Sequence, residues 1–423
     1  MTQEKKNYML PILMMMMLFA MISFVTGLAS PIGVILKDEF GASDTMSQFG
    51  NLANFIAYAF MGVPAGLLLQ RVGYKKTALL AIIVGFVGVG IQYLSGVASS
   101  FAVYVAGAFV AGFSMCLLNS VVNPMLNTLG GGGTKGNQLL QLGGSLNSLA
   151  ATITPALVGF LIGNSMKATI KDANPALFIA MGIFAIVFVV LALVKIPEPN
   201  MEVVKKDKKD KHSALSFRHF ILGAVGVFVY VGVEVGIPAF MFLYLTKTAG
   251  MGADIAGSVV AIYWLLMLVG RLTGASLGSK ISSKTMLTVA SVLGLVFVTI
   301  AIVSPAETMT SMPAFIKETL SFGMVEVPIS ILFLSLCGLC TSIMWGGIYN
   351  LAVEGLGKYV KMATGIFMVM VCGGGILPVI QGAVADSTES YLASYWVVFA
   401  GLAYLLYYAL IGSKNVNKDI PVD

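Results

Sequence analysis

Twelve stretches of this 423-residue chain stay apolar for the ~20 residues a helix needs to cross a bilayer, and that repetition leaves few folds open. They fall at roughly 9–36, 47–69, 77–94, 101–126, 137–163 and 176–195, then 218–245, 254–277, 284–303, 327–352, 361–384 and 392–413. Lipid offers the backbone no hydrogen-bond partners, so each run must satisfy its own amides and carbonyls as a helix. At 58% hydrophobic and 10% charged residues, the chain lies outside the composition of soluble domains. The expected fold is an all-α membrane protein of twelve transmembrane helices.

One interior segment is long and strongly charged. Residues 196–216 carry IPEPN followed by KKDKKDKH, where prolines end helix and charges hold the chain in water. It divides the chain into an expected six-helix bundle at 1–195, a linker at 196–216 and a second six-helix bundle at 217–423. The halves echo one another. PAGLLLQRVGYKKT, after span two, puts Lys76-Thr77 ten residues after Gly66, and LTGASLGSKISSKT, after span eight, puts Lys284-Thr285 ten residues after Gly274. NPMLNTLG from Asn123 and NLAVEGLG from Asn350 both end in Leu-Gly at the same offset. Two echoes in corresponding positions indicate an internal six-span repeat, an arrangement secondary transporters use to form a site at the repeat interface.

The start of the chain has the basic head and apolar core of a signal peptide, but its apolar run from Tyr8 to Leu36 is too long for one and is expected to remain as the first span. With the N-terminus inside, 19 lysines and arginines fall on the cytoplasmic side and 5 on the other, which sets both termini in the cytoplasm. Only Arg271 is left inside a span. The basic residues form no aromatic-bearing face, so no nucleic-acid partner is expected. Cys116, Cys337, Cys340 and Cys372 all lie in apolar runs, and Cys337-x-x-Cys340 has no second pair, so neither metal site nor disulfide framework is expected. Gly130–Gly133 before Thr134-Lys135 lacks the order of a phosphate loop, and no catalytic set emerges: no enzyme activity and no cofactor are expected.

The stretch Phe217–Leu245 holds Glu234 near its middle. An acid at that depth costs several kcal/mol unless it faces a water-filled cavity or a partner. Tyr230 lies one turn earlier on the same face. Pro238 cannot donate to the Glu234 carbonyl, so a freed carbonyl and a kink are expected there. Gly232 and Gly236 allow another helix to come close. The plain alternative is a glutamate that only pairs with a neighbouring helix. Span four adds Asn119, Asn123 and Asn127 on one face, with Pro124 beside them. Gln48, Asn51 and Asn54 sit in span two, Gln138, Gln141 and Asn147 in span five, and Tyr263, Trp264, Trp345, Tyr349, Asn350 and Gln381 in the second half. Amides donate and accept, and aromatic faces stack on a sugar ring, so the set suits a neutral, polyhydroxylated solute. Amides that merely join helices are the alternative for each of them taken singly.

The twelve spans, the linker and the loop containing Gly62, Gly66, Arg71, Gly73, Lys75 and Lys76 resemble the major facilitator superfamily, with Gln70 where that pattern has Asp. PAGLLLQRVGYKKT, NPMLNTLG, LNSLAATITP, VYVGVEVGIPAF and EGLGKYVKMATGIFMVMVCGGGILP are similar to the fucose–proton symporter family of sugar permeases. The resemblance implies two six-helix pseudo-repeats rocking about a central sugar site, without a cofactor. It implies Asn123, Asn147 and Glu234 at that site, which the residue pattern extends to Asn119, Gln141, Tyr230, Asn350 and Trp345. It also implies a gating loop in which charge pairs of Arg71, Lys75 and Lys76 latch the inward-closed state. Ser30, Asn119 and Gly144 depart from the family, the first two standing where its proton carriers are acidic; coupling to H⁺ or Na⁺ through Glu234, or uniport, stays open. Expected partners are a monosaccharide, the coupling cation and the bilayer of the cytoplasmic (inner) membrane, with a monomer as the working unit. A drug or metabolite exporter of the same fold and a non-transporting sensor are the competing readings. A reporter fused after Asp423 and another inserted near Lys208 should both report a cytoplasmic location, and one on the outer face would make the span count wrong by an odd number.

Overall fold

In the computed structural model, described at residues 8–129, 133–162, 169–198, 212–277, 281–316, 319, 321–417 and 419–422, twelve helices are long and apolar enough to cross a bilayer. Spans one to six are Met9–Gly33, Phe49–Leu69, Tyr74–Ala98, Phe101–Leu126, Leu142–Ile162 and Ile170–Leu193; spans seven to twelve are Arg218–Thr248, Ala253–Gly274, Ser283–Val303, Ile329–Val353, Gly365–Thr388 and Tyr395–Gly412. All twelve match the expected runs to within a few residues, because hydropathy over one bilayer thickness is a local property. Most of the linker, and with it Lys205–Lys211, lies outside the described residues.

Packing between spans depends on backbone proximity rather than on bulky side chains. A β-carbon at Gly257 of span eight would stand 2.2 Å from the carbonyl oxygen of Pro155 in span five, and one at Gly159 would stand 2.2 Å from that of Ala253. Lipid is as apolar as leucine, so close van der Waals contact through small residues replaces the hydrophobic drive that joins helices in water. The same device joins span eleven to span two at Gly375, where a β-carbon would meet Leu52 at 2.7 Å. Asn51 adds a hydrogen bond across this second seam, from Nδ2 to the Gly374 carbonyl at 3.2 Å.

Span seven stays helical from Arg218 to Leu243, with Pro238 inside, and continues as a π-helical turn at Tyr244–Thr248. The carbonyl freed by Pro238 is satisfied nonetheless: the Tyr263 hydroxyl of span eight donates to the Glu234 oxygen at 3.1 Å. Gly232 and Gly236 seat span eleven as expected, with Leu377 and Gln381 against them.

The chain is not purely helical. Before span ten, β1 (Met309–Ile316) and β2 (Ser321–Pro328) form an antiparallel hairpin with Met309 opposite Pro328. Met312 and Ala314 point inward while Ser311 and Pro313 point out, the two-residue alternation of a half-buried strand. A criterion of apolar length passes over such a segment. Phe315 meets Phe322 across the hairpin and Phe160 at the end of span five, so the hairpin reaches the other half of the chain.

The face opposite the two termini is closed by polar contacts between early and late segments. Both oxygens of Asp386, in span eleven, cap the short helix Asp44–Ser47: Oδ1 accepts from the Asp44 amide at 2.7 Å, and Oδ2 from the amide and hydroxyl of Thr45 at 2.9 and 2.6 Å. Tyr391 donates to the Asp44 carboxylate at 3.0 Å, and Lys247 pairs with Asp38. Asp386 is solvent-exposed, so its bonds together contribute only about 1–2 kcal/mol to closure. In a background without the native cysteines, Asp386→Ala should raise labelling of Ala151→Cys by an impermeant thiol reagent applied from this face about tenfold. Unchanged labelling would assign closure to the glycine seams alone.

Candidate functional site

Between the two sets of spans lies a cavity of about 890 Å³. It begins near mid-membrane and extends to Ser283 and Asn350, at the ends of spans nine and ten on the side of the termini. Of the eight residues expected at a substrate site, Glu234, Asn123, Asn147, Asn119, Tyr230, Asn350 and Trp345 line this one space. The eighth, Gln141, has its side chain outside the described residues, as do Gln138, Asn127 and Ser30.

The first half contributes amides held by their own neighbours. Asn119 donates from Nδ2 to the Tyr58 hydroxyl at 2.9 Å, and Asn123 from Nδ2 to the Asn119 backbone carbonyl at 2.9 Å. Asn147 donates to the Phe19 carbonyl at 3.0 Å, tying span five to span one. In each case an N–H is used to fix the amide, which fits the helix-joining alternative. The oxygens of Asn123 and Asn147 accept no bond among the described residues, and both residues face the cavity. One group therefore both joins helices and presents an acceptor. Asn350 stands apart from these, at the cavity mouth, 3.4 Å from the Ser283 hydroxyl.

The second half contributes the charge. Glu234 does not stand alone: Nη2 of Arg271, from span eight, lies 3.4 Å from its Oε1, and both side chains are more than four-fifths buried, at 15% and 17% exposure. The other end of the guanidinium donates from Nη1 to the Gly144 carbonyl of span five at 2.8 Å. Gly144 lacks a side chain where the resembling family has glutamine, and a β-carbon there would come within 3.5 Å of that nitrogen. One guanidinium therefore touches both halves of the chain. The Tyr230 hydroxyl is buried beside the pair and close to both of its members. Its ring stands 6.2 Å from that of Trp345, which completes an apolar wall.

Arg271, Tyr58 and Phe55 also line the cavity, beyond the expected site residues. For Arg271 the sequence does carry a signal, since an arginine within a span needs a partner as much as a glutamate does. Tyr58 and Phe55 have no such mark, because an aromatic residue in an apolar run has the composition of any membrane helix.

The loop expected to act as a gate makes local contacts in this conformation. Lys75 donates from Nζ to the carbonyls of Ala192 and Val194 at 2.8 and 2.7 Å, closing the end of span six, and Glu198 accepts the amides of Tyr74 and Lys75 at 2.7 and 3.0 Å. These contacts join neighbours within the first half and tie it to the start of the linker. Arg71 and Lys76 are exposed, and among the described residues no ion pair carries them across to the second half. The closed end here is the opposite one, so a latch at the loop has nothing to hold in this conformation.

A family model described as Major Facilitator Superfamily matches residues 12–379. The chain is 28% identical over 422 residues to a glucose/galactose transporter of Brucella abortus biovar 1 (strain 9-941), covering 98% of this chain and 97% of that protein. It is 20% identical over 414 residues to the L-fucose-proton symporter of Escherichia coli (strain K12), covering 91% and 89%. Among solved structures, a major facilitator superfamily transporter crystallised in the outward conformation, FucP, superposes with a TM-score of 0.68 at 18% identity over 96% of this chain and all of that one. A bacterial homologue of the human lysosomal transporter Spinster, inward-facing and occupied, superposes with a TM-score of 0.66 at 13% identity over 99% of each chain. With the superfamily model spanning most of its length, this multi-pass membrane protein belongs to the Major Facilitator Superfamily.

Proposed function

We propose that the chain is a sugar permease of the cytoplasmic (inner) membrane, carrying a hexose or related monosaccharide by alternating access. The bundles 1–195 and 217–423 rock about the central cavity, joined by 196–216, with both termini in the cytoplasm. The observation that carries this reading is the cavity between the halves. Asn123, Asn147 and Glu234 line one space together with the aromatic rings of Tyr230 and Trp345. Vicinal hydroxyls need closely spaced donors and acceptors, and the apolar face of a pyranose needs an aromatic wall. The relatives named as glucose/galactose transporters support the same substrate class. In this conformation the cavity reaches the cytoplasmic side, so the contacts of Asp386 and Lys247 are those that must break for the outward-facing state.

Cation coupling through Glu234 is the first form of this proposal, since no other acid among the described residues lines the cavity. Uniport is the second. It is favoured by Arg271, which sets a permanent internal cation where a symporter would need one only transiently. Uptake of labelled hexoses into proteoliposomes, with pH and Na⁺ gradients imposed separately, tests the substrate class and tells the two forms apart.

Asn123→Ala and Asn147→Ala should each weaken sugar uptake by ~1–3 kcal/mol of lost hydrogen bonding while the protein still inserts. Normal affinity in both would leave these amides as helix-joining groups only. Glu234→Gln keeps shape while deleting the charge. It should abolish uptake against a gradient but leave counterflow partly intact, since exchange needs no net ion movement. Accumulation with the wild-type dependence on pH and Na⁺ would remove Glu234 from the coupling step.

A further inference from the structure

Two charged side chains face the cavity among the described residues, Glu234 and Arg271, and their charges cancel. Every other polar side chain lining it is uncharged: an amide, a hydroxyl or the indole N–H of Trp264 and Trp345. The pair is loosely made. Its 3.4 Å separation exceeds the ~2.7–2.9 Å of a well-formed charge-assisted hydrogen bond. Arg271 is not oriented by Glu234 alone, because the Gly144 carbonyl holds Nη1 at 2.8 Å from the opposite half. Of the five N–H groups of a guanidinium, two are used by these partners, and Arg271 donates no further hydrogen bond among the described residues. The Tyr230 hydroxyl is buried beside them.

We propose that Glu234 sets the charge class of the substrate: by neutralising Arg271 it confines the site to uncharged sugars, and without it Arg271 becomes a carboxylate site for hexuronates. This rests on the sugar-permease reading and goes beyond it by assigning specificity to one pair. A guanidinium fixed at one end presents a planar fork that matches a carboxylate with two parallel bonds. In the wild type that fork is opposed by Glu234, and a sugar acid meets a like charge as it approaches, a repulsive element that rejects it. Deleting the carboxylate leaves a cation within a low-dielectric cavity, where an anionic ligand restores neutrality. The reciprocal change follows from the same arithmetic. With Arg271 neutralised, Glu234 is the uncompensated charge and the site should accept a protonated hexosamine.

The test uses the full-length protein reconstituted in lipid, with D-glucose, D-glucuronate and D-glucosamine as probes in direct binding. Wild type should prefer glucose. Glu234→Gln should bind glucuronate about tenfold or more tightly than wild type does, one charge-assisted interaction gained, and glucose more weakly. Adding Arg271→Gln to that variant should erase the gain. Arg271→Gln alone should shift preference toward glucosamine, which keeps the inference open to test if Glu234→Gln fails to assemble. Absence of a glucuronate gain in assembled Glu234→Gln, or a gain that survives loss of Arg271, overturns the proposal. Failure of the wild type to bind any hexose strikes the sugar reading instead, because the charge-class inference is read from the difference between variants in anion and cation binding.

Discussion

Neither a carboxylate nor a guanidinium is stable alone in the hydrocarbon core of a bilayer, and much of the interior of this protein follows from keeping one of each there. Glu234 and Arg271 come from adjacent spans, and the pair is anchored across the interface by the Gly144 carbonyl. The surrounding features complete what that pair requires. Pro238 frees the Glu234 carbonyl, and Tyr263 satisfies it, so the backbone beside the acid is not left with an unmet acceptor. Both members of the pair also line the central cavity.

Two kinds of contact hold the halves together, and they differ in how easily they part. The glycine seams between spans five and eight and between spans two and eleven bring backbones into direct contact, and the first also carries the hydrogen bond from Arg271 to the Gly144 carbonyl. The polar contacts at the face opposite the termini are, among the described residues, hydrogen bonds and an ion pair between groups that are in part exposed, individually weak and replaceable by water. A transporter that must open each face in turn needs closures of this strength. The β-hairpin adds an aromatic contact to the same end, Phe315 against Phe160.

Much of the candidate site is legible in the amino-acid sequence, for a reason particular to membranes. In a soluble protein a polar residue in an apolar segment has many innocent explanations. In a span it is expensive, so Glu234, Asn119, Asn123 and Asn147 stand out by residue type and position alone. The same rule applies to Arg271, which a count of loop charges passes over. Tyr58 and Phe55 carry no such mark. The contacts of Lys75 with the carbonyls of Ala192 and Val194 carry no mark in the sequence either, where Lys75 counts only as a charge.

The sequence by itself determined the number of spans, their limits, and the presence of costly polar groups within them, because these depend on hydropathy over one bilayer thickness and on the helical period. It did not determine the partners of those groups. Arg271 meets Glu234 from 37 positions away and Gly144 from 127, and the Asp386 cap joins residues separated by 342. Such pairings exist only once the helices have packed. The tertiary structure also decided which end of the cavity is closed, since closure is the sum of many weak contacts between the halves and no single segment encodes it.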